Sequence, residues 1–359
     1  MAGLLAAHAL ARKKVACILI ERKSYPFHRV CGEYISEEVT PYLESLRLFP
    51  HQFNPPRIRQ LQLTSVNGKE ARLPLNTGGF GISRYTFDQF LVDHLPQDWV
   101  SIKQNCEVTQ IDFTGQDFVV ATSRGDFKAD VVIGAYGKRS RLDSTMKRDF
   151  MQSKSPYVGV KYHVRTSHPN NVISLHNFKD GYCGISNIEE GKSNLCYLTH
   201  RHNFKIYKTI PEIEENILCR NPYLKSIFRD AEFLSEKPEV INEISFASKR
   251  PVENHVLMCG DSAGMITPLC GNGMAMAIHA SKLISDLVYD FHSGKISRQS
   301  MEGHYYQLWT KHFAKRLWAG RKIQSLFGSE FASDLAVQLA RHFKPVANYL
   351  VTKTHGQPF

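Results

Sequence analysis

Residues 256–274 constrain the chain most. Four apolar residues, Val256-Leu257-Met258-Cys259, run into Gly260-Asp261-Ser262-Ala263-Gly264, then Pro268, then Gly271-Asn272-Gly273-Met274. A short, continuous apolar run suits a strand buried on both faces, as in a parallel sheet. The small residues after it let backbone approach a ligand closely. The glycine turn then opens an apolar helix predicted over 275–291. The free N–H groups and positive dipole end at its start favour an anionic oxygen. The alternative is a tight strand–loop–helix connection without a ligand. Two glycine clusters flanking a proline weigh against that.

The same pattern recurs twice. Residues 2–11 are rich in Ala and Leu, strong helix formers, and Val15-Ala16-Cys17-Ile18-Leu19-Ile20 is a second buried-strand run ending at Glu21. In a dinucleotide fold, a carboxylate ending the second strand accepts ribose hydroxyls ~20 residues after the glycine motif. Gly3 to Glu21 has close to that spacing, although Glu21 could simply end a strand. Gly134-Ala135-Tyr136-Gly137-Lys138-Arg139-Ser140 follows a third run, 131–133, as a ligand loop or a surface turn. Arg84 and Asp88 stand at the start of a helix predicted over 86–95. Arg84 is suited either to a bidentate phosphate contact or to pairing with Asp88 four residues on.

Between these segments the period changes. Residues 157–164, 172–175, 182–188 and 195–199 read as an antiparallel meander, with 239–246 as a further strand. Asn67-Gly68 between 60–64 and 71–75 predicts a hairpin whose two turn residues both take positive φ. Strands are also predicted at 108–113 and 118–122. Residues 211–229 and 297–352 read as helical.

Composition narrows the function classes. With 359 residues, 42% hydrophobic and 22% charged, the chain is ordinary globular material, and no apolar run approaches the ~20 residues of a membrane span. Eight cysteines without a C-x-x-C pair fit reduced thiols in a cytoplasmic protein. The net charge of +11 is spread along the chain, and no nucleic-acid module accompanies it. In 1–14 the apolar stretch precedes Arg12, Lys13 and Lys14, the reverse of a secretory signal. A transit peptide is compatible with the lack of acids before Glu21, but a helix running into a strand is simpler. Residues 308–327 place Trp309, Phe313 and Leu317 at helical spacing among Lys311, Lys315, Arg316, Arg321 and Lys322. Such a helix either lies weakly on an anionic membrane or packs on its own domain. His163, His176 and His279 lack metal-ligand spacing, so no metal site is predicted.

Taken together, these motifs resemble the FAD-dependent oxidoreductases that include geranylgeranyl reductases, p-hydroxybenzoate hydroxylase and flavin-dependent halogenases. Ala-Gly-Leu-Leu-Ala-Ala at 2–7 resembles the end of the family's G-x-G-x-x-G helix opening. Ile18 to Lys23 matches its ribose-binding acid, and Ser83 to Asp88 its R-x-x-F-D helix start. GAYGKRS at 134–140 is similar to G-A-D-G-x-x-S, and CGDSAGMITPLCGNG at 259–273 to G-D-A-A-G…P…G-x-G. Arg29 to Ser36 resembles the C-G-G-x-x-S segment of the geranylgeranyl reductase branch. The tryptophan motif of halogenases is absent.

The resemblance implies an α/β fold: a Rossmann-like FAD-binding domain of glutathione-reductase type with an inserted antiparallel β-sheet substrate domain and C-terminal helices. Residues 1–56, 77–150 and 247–295 would form the FAD-binding domain, 57–76 and 151–246 the substrate domain, and 296–359 the helical region. FAD contacts are implied at Gly3, Glu21, Arg22, Cys31 and Gly32. They are implied also at Arg84, Val108 and Ala135, and at Gly260, Asp261, Pro268, Gly271, Gly273 and Met274. Cys31 is the candidate proton donor or flavin neighbour, its alternative being a small buried hydrophobe, and Glu33 a further acid–base candidate. NAD(P)H is the implied electron donor, without a second dinucleotide motif.

The substrate is expected to be small and hydrophobic or aromatic. The favoured reaction reduces a double bond in a prenyl or polyene-like molecule. The alternatives are a monooxygenase acting on an aromatic or polyketide product, or a remnant that holds FAD poorly. The chain departs from the family at Tyr136, where aspartate is usual, and at Glu33, where glycine is common. It also starts inside the dinucleotide motif, so a truncation that removes the first strand is expected. Unpaired buried strand groups would then cost roughly 1–3 kcal/mol each.

Overall fold

The computed structural model describes residues 1–152, 156–324 and 329–359. The apolar runs form parallel pairs. Cys17–Ile20 lies parallel to Val100–Lys103. Val256–Met258 lies parallel to Ile133–Gly134 and antiparallel to Val252–Glu253. The strand expected at 131–133 is thus shorter and shifted toward Gly134.

The Ala2–Arg12 helix carries its only cation in the last turn, where the dipole favours it. It ends where Lys14 turns left-handed at φ 58 and Val15 N–H closes back to Leu10 O at 3.0 Å. Its alanines let it pack closely on the Gly273–His292 helix, where Ser285 Oγ donates to Ala6 O at 3.3 Å. Leu4, Leu5, Leu10 and Ile278 are buried between these helices and the parallel strands. Each such side chain contributes roughly 1.5–3 kcal/mol by leaving water.

The alternating segments form a nine-stranded sheet. Its order is Glu232–Phe233, Tyr157–Arg165, Ser193–His200, Gly181–Asn187, Val172–Phe178, Arg57–Thr64, Glu70–Gly81 and Tyr34–Ser36, with Glu239–Ile244 also pairing Tyr157–Arg165. All pairs are antiparallel except Val172–Phe178 with Arg57–Thr64. The hairpin before Glu70 differs from the two-residue turn expected. Ser65 N–H reaches Lys69 O at 2.9 Å, and only Gly68, at φ 79, takes positive φ. A longer loop needs one left-handed residue rather than two.

Side chains alternate across this sheet. Val160, Tyr162, Cys183, Ile185 and Tyr197 pack under the Ile210–Asn216 and Pro222–Asp230 helices. There Glu214 accepts from both Tyr162 and Tyr197 hydroxyls at 2.9 Å. On the other face, Leu61, Leu73, Leu75 and Leu175 pack with Val337 and Ala340 of the Glu330–His342 helix.

The basic segment expected over 308–327 is not one amphipathic surface helix. Its last residues, 325–327, lie outside the described residues. The rest comprises the end of the Arg298–Trp309 helix, a π-turn at Thr310–Ala314 and the Lys315–Gln324 helix. Trp309, Phe313 and Leu317 are buried against Val256, Ala263 and Ile266. Its apolar face therefore covers the strand–glycine-turn unit.

Candidate functional site

The motifs that are far apart in sequence meet at the start of the first helix. A Cβ on Gly3 would lie 3.3 Å from Ala135 Cβ, and one on Gly260 would lie 3.3 Å from Ala2 Cβ. Gly260 takes φ +70 and Gly271 φ +62, conformations that L side chains rarely adopt. A Cβ on Gly271 would also stand 3.0 Å from the Tyr34 ring, so the glycine turn sits against the 29–36 segment. Pro268 opens the single turn Pro268–Cys270 between these glycines.

Lys249 ties two loops together by donating to Lys138 O at 2.6 Å and Asp261 O at 2.7 Å. Burial brings its pKa down to about 8, against the attraction of Asp261. Burial likewise pushes the Asp261 carboxyl up, although Lys249 and Arg84 pull the other way. Tyr136, where the family resemblance expects aspartate, donates to Asp143 Oδ1 at 3.1 Å. It therefore presents a neutral phenol beside the Arg148–Asp143 pair.

The Gly273–His292 helix has no side-chain cap, so its first N–H groups are left for other partners. Asn272 spends its amide on Thr354 O at 2.6 Å, while its buried Oδ1 has no hydrogen-bond partner among the described residues. An uncapped helix start, two left-handed glycines and an orphaned buried amide oxygen fit the polar chain and ring edge of a flavin nucleotide.

Of the two partners open to Arg84, the structure shows Asp88, held in a fork at 3.0 and 2.6 Å. Burial resists ionisation of Asp88, but Arg84 outweighs it and brings the pKa down to about 2. Glu21 accepts from Arg29 at 3.1 Å, and Arg29 also lies 3.7 Å from Asp88. Arg22 and Gly32 are exposed. Val108 begins a separate antiparallel sheet and packs on the core around Val256.

Cys31 Sγ lies 3.7 Å from Met274 Sδ, and its carbonyl accepts from Asn194 of the large sheet at 3.1 Å. Burial pushes its thiol pKa up. Glu33 is fully buried at φ 52. It accepts from Lys161 Nζ at 2.5 Å, His163 Nε2 at 2.6 Å and Arg84 N at 2.9 Å. Burial opposes its charge, but Lys161 and His163 overcome this and hold the carboxyl below its ordinary value. The His28 ring lies 5.4 Å from that of His163 and stacks on Tyr85.

Four of these residues carried no functional signal in the sequence motifs. Lys161 and Lys249 were hidden among surface-type lysines. Glu189, which accepts from Ser83 N at 2.8 Å, Ser83 Oγ at 2.6 Å and Thr86 Oγ1 at 2.8 Å, opens the short turn Glu189–Gly191 between two strands of the large sheet. His163 was weighed only as a metal ligand. A signal did exist for two of them: period-two alternation puts Lys161 and His163 on one face of their strand.

An FAD binding domain model matches residues 1–291. The chain belongs to this FAD-binding family. As a member of it, the chain is 21% identical to a digeranylgeranylglycerophospholipid reductase of Methanosarcina acetivorans over 86% of this chain and 78% of that one. Its fold superimposes with a TM-score of 0.78 on a geranylgeranyl bacteriochlorophyll reductase-like protein of Thermoplasma acidophilum. That match covers 100% of this chain and 94% of the other, at 16% identity. A flavin-dependent brominase also matches with a TM-score of 0.78, over 98% and 91% of the two chains at 15% identity. The flavoprotein oxidoreductase fold and class read from the motifs therefore hold. Among the described residues, no helix is long and apolar enough to cross a membrane.

Proposed function

We propose that this flavoprotein reduces a carbon–carbon double bond in a prenyl or polyene-like substrate, with NAD(P)H as electron donor. One observation carries this reading: the Cys31 segment is clamped between the glycine turn and the large sheet. Its thiol meets Met274, its carbonyl meets Asn194, and Glu33 meets Lys161 and His163. A substrate lying between turn and sheet would lie beside Cys31 and His163, with Glu33 and Lys161 enclosed behind them.

Gly3, Ala135 and Gly260 would let backbone approach the nucleotide. Glu21 would accept from ribose, and Gly271, Gly273 and Met274 would meet the ring edge. When bound, FAD supplies hydride transfer between the nicotinamide and the alkene. The alkene also needs one proton, and His163 would give it from Nδ1, the ring nitrogen that Glu33 does not hold. Its side chain is 12% exposed, and its Nε2 is oriented by Glu33. Glu33, enclosed by three donors, is a positioning residue rather than an acid. Cys31, its thiol pKa raised by burial, keeps its proton.

The test is anaerobic. The FAD-loaded protein is mixed with NADPH or NADH and a polyprenyl substrate under argon, and the product mass is read. Addition of two hydrogens supports the reductase. The monooxygenase reading has its own support in the halogenase-like neighbours. It requires NAD(P)H consumption to depend on oxygen and labelled oxygen to enter the product.

A further inference from the structure

Every residue of the strand Gly181–Asn187 is buried except Gly184. In the neighbouring strand Ser193–His200, only Cys196 and the terminal His200 keep some exposure. Gly184 and Cys196 are register partners, so the two openings are one. Asn194 lies two residues from Cys196, on the same face of its strand, and donates to Cys31 O at 3.1 Å. The opening therefore faces the Cys31 segment. The opposite face, with Cys183, Ile185 and Tyr197, is covered by the helices packed on that side.

The opening has a closed rim. Across the sheet it lies between Lys161, the partner of Cys196, and Leu175, the partner of Gly184, and both are buried. Along the strands it lies between Asn194 and Leu198, and between Tyr182 and Ser186, all buried. A Cβ on Gly184 would find Leu175 Cδ2 at 3.4 Å, Cys196 O at 3.7 Å and Ser174 O at 3.9 Å as its nearest atoms, all of the same sheet. A Cβ on Gly159 would instead meet Val30, beside the Cys31 segment, at 3.3 Å. Glycine and cysteine thus leave a hollow about one side chain deep. A second observation marks it as a ligand site. Asn194 is 1% exposed, and its Oδ1 has no hydrogen-bond partner among the described residues. A buried acceptor left unpaired is costly, and a ligand donor would satisfy it.

We infer that this hollow seats the substrate, with a methyl-branched chain over the Gly184–Cys196 pair and a terminal hydroxyl donating to Asn194 Oδ1. The inference rests on the prenyl reading above and names the residues that admit the chain. His163 is the register partner of Asn194, so the hydroxyl end lies on the side of the proton donor.

The test is equilibrium dialysis of the FAD-loaded full chain against tritiated farnesol under argon, without NAD(P)H. Gly184→Phe should weaken binding about tenfold or more by filling the hollow, while keeping the flavin spectrum and melting temperature of the parent. Gly184→Ala adds a methyl that meets only ordinary contacts, and should weaken binding less. Cys196→Leu fills the hollow from the other strand and should act like Gly184→Phe. Farnesyl methyl ether, which cannot donate, should bind the parent about tenfold more weakly than farnesol. Undiminished farnesol binding by Gly184→Phe and Cys196→Leu would overturn the inference and leave the reductase reading standing. Equal affinity for ether and alcohol would do the same. A parent that binds no farnesol and reduces no polyprenyl substrate would overturn the reductase reading itself.

Discussion

Glu33 and Glu189 cap the same helix start. Glu33 accepts from Arg84 N at 2.9 Å, and Glu189 accepts from Ser83 N at 2.8 Å. Two buried carboxylates at a positive helix end fix the first turn that carries Arg84, and through it the fork to Asp88.

Replacing Glu33 by Gln leaves the Lys161 ammonium, 2% exposed, without its counter-charge. Breaking a buried pair from one side costs about 3–5 kcal/mol. Urea unfolding should show Glu33→Gln destabilised by that order. Adding Lys161→Met should recover part of the loss.

The same pair sets an acid dependence. In the folded protein Glu33 holds its charge below the ordinary carboxylate value of 4.5. Its stabilising contribution is complete above pH 4.5 and disappears as pH falls through the depressed folded value. The stability gap between parent and Glu33→Gln should therefore narrow below pH 4.5, as denaturant midpoints across that range will read.

Gly260→Ala puts a side chain at φ +70 with Ala2 Cβ 3.3 Å away. The left-handed backbone alone costs about 1–2 kcal/mol. Flavin retention after gel filtration should fall, and Gly271→Ala, with Tyr34 at 3.0 Å, should behave alike. Gly294→Ala serves as control. Gly294 also takes positive φ but has open space around it, so this variant should lose some stability and keep its flavin.

If His163 gives the proton, His163→Asn should lower substrate turnover about 10²-fold or more. Flavin reduction by NAD(P)H without substrate should be unchanged. Stopped-flow absorbance separates the two steps. Equal loss in both would assign His163 to folding or nucleotide binding instead.

Trp309→Ala removes a ring that would stand 2.9 Å from a Cβ on Gly264. A large-to-small change of this kind costs about 3–5 kcal/mol. The variant should melt lower and release flavin, and Phe313→Ala likewise.

The residues differ in how far the sequence announces their roles. Gly260, Gly271 and the run 256–259 were legible because close backbone approach and two-sided burial each demand a particular residue type. The strands at 157–164 were legible from their alternation. Glu33 was visible as an oddity in its segment, but its partners were not. Lys161 and Glu189 are types usually solvated, and only the tertiary arrangement encloses them. Trp309 and Phe313 showed helical spacing, which does not say whether the face meets solvent, lipid or protein. Gly264 and Gly320, whose missing side chains admit Trp309, Thr267 and Cys270, settle that question in space.

Asn272 reaches forward to Thr354, while Gly260 rests against Ala2. The cofactor cradle is thus closed by parts of the polypeptide from nearly opposite regions of the sequence. Long-range closures of this kind are slow to form. A cradle assembled this way is only as ordered as its most distant contributor, so loosening the backbone at Thr354 would loosen the glycine turn 82 positions earlier.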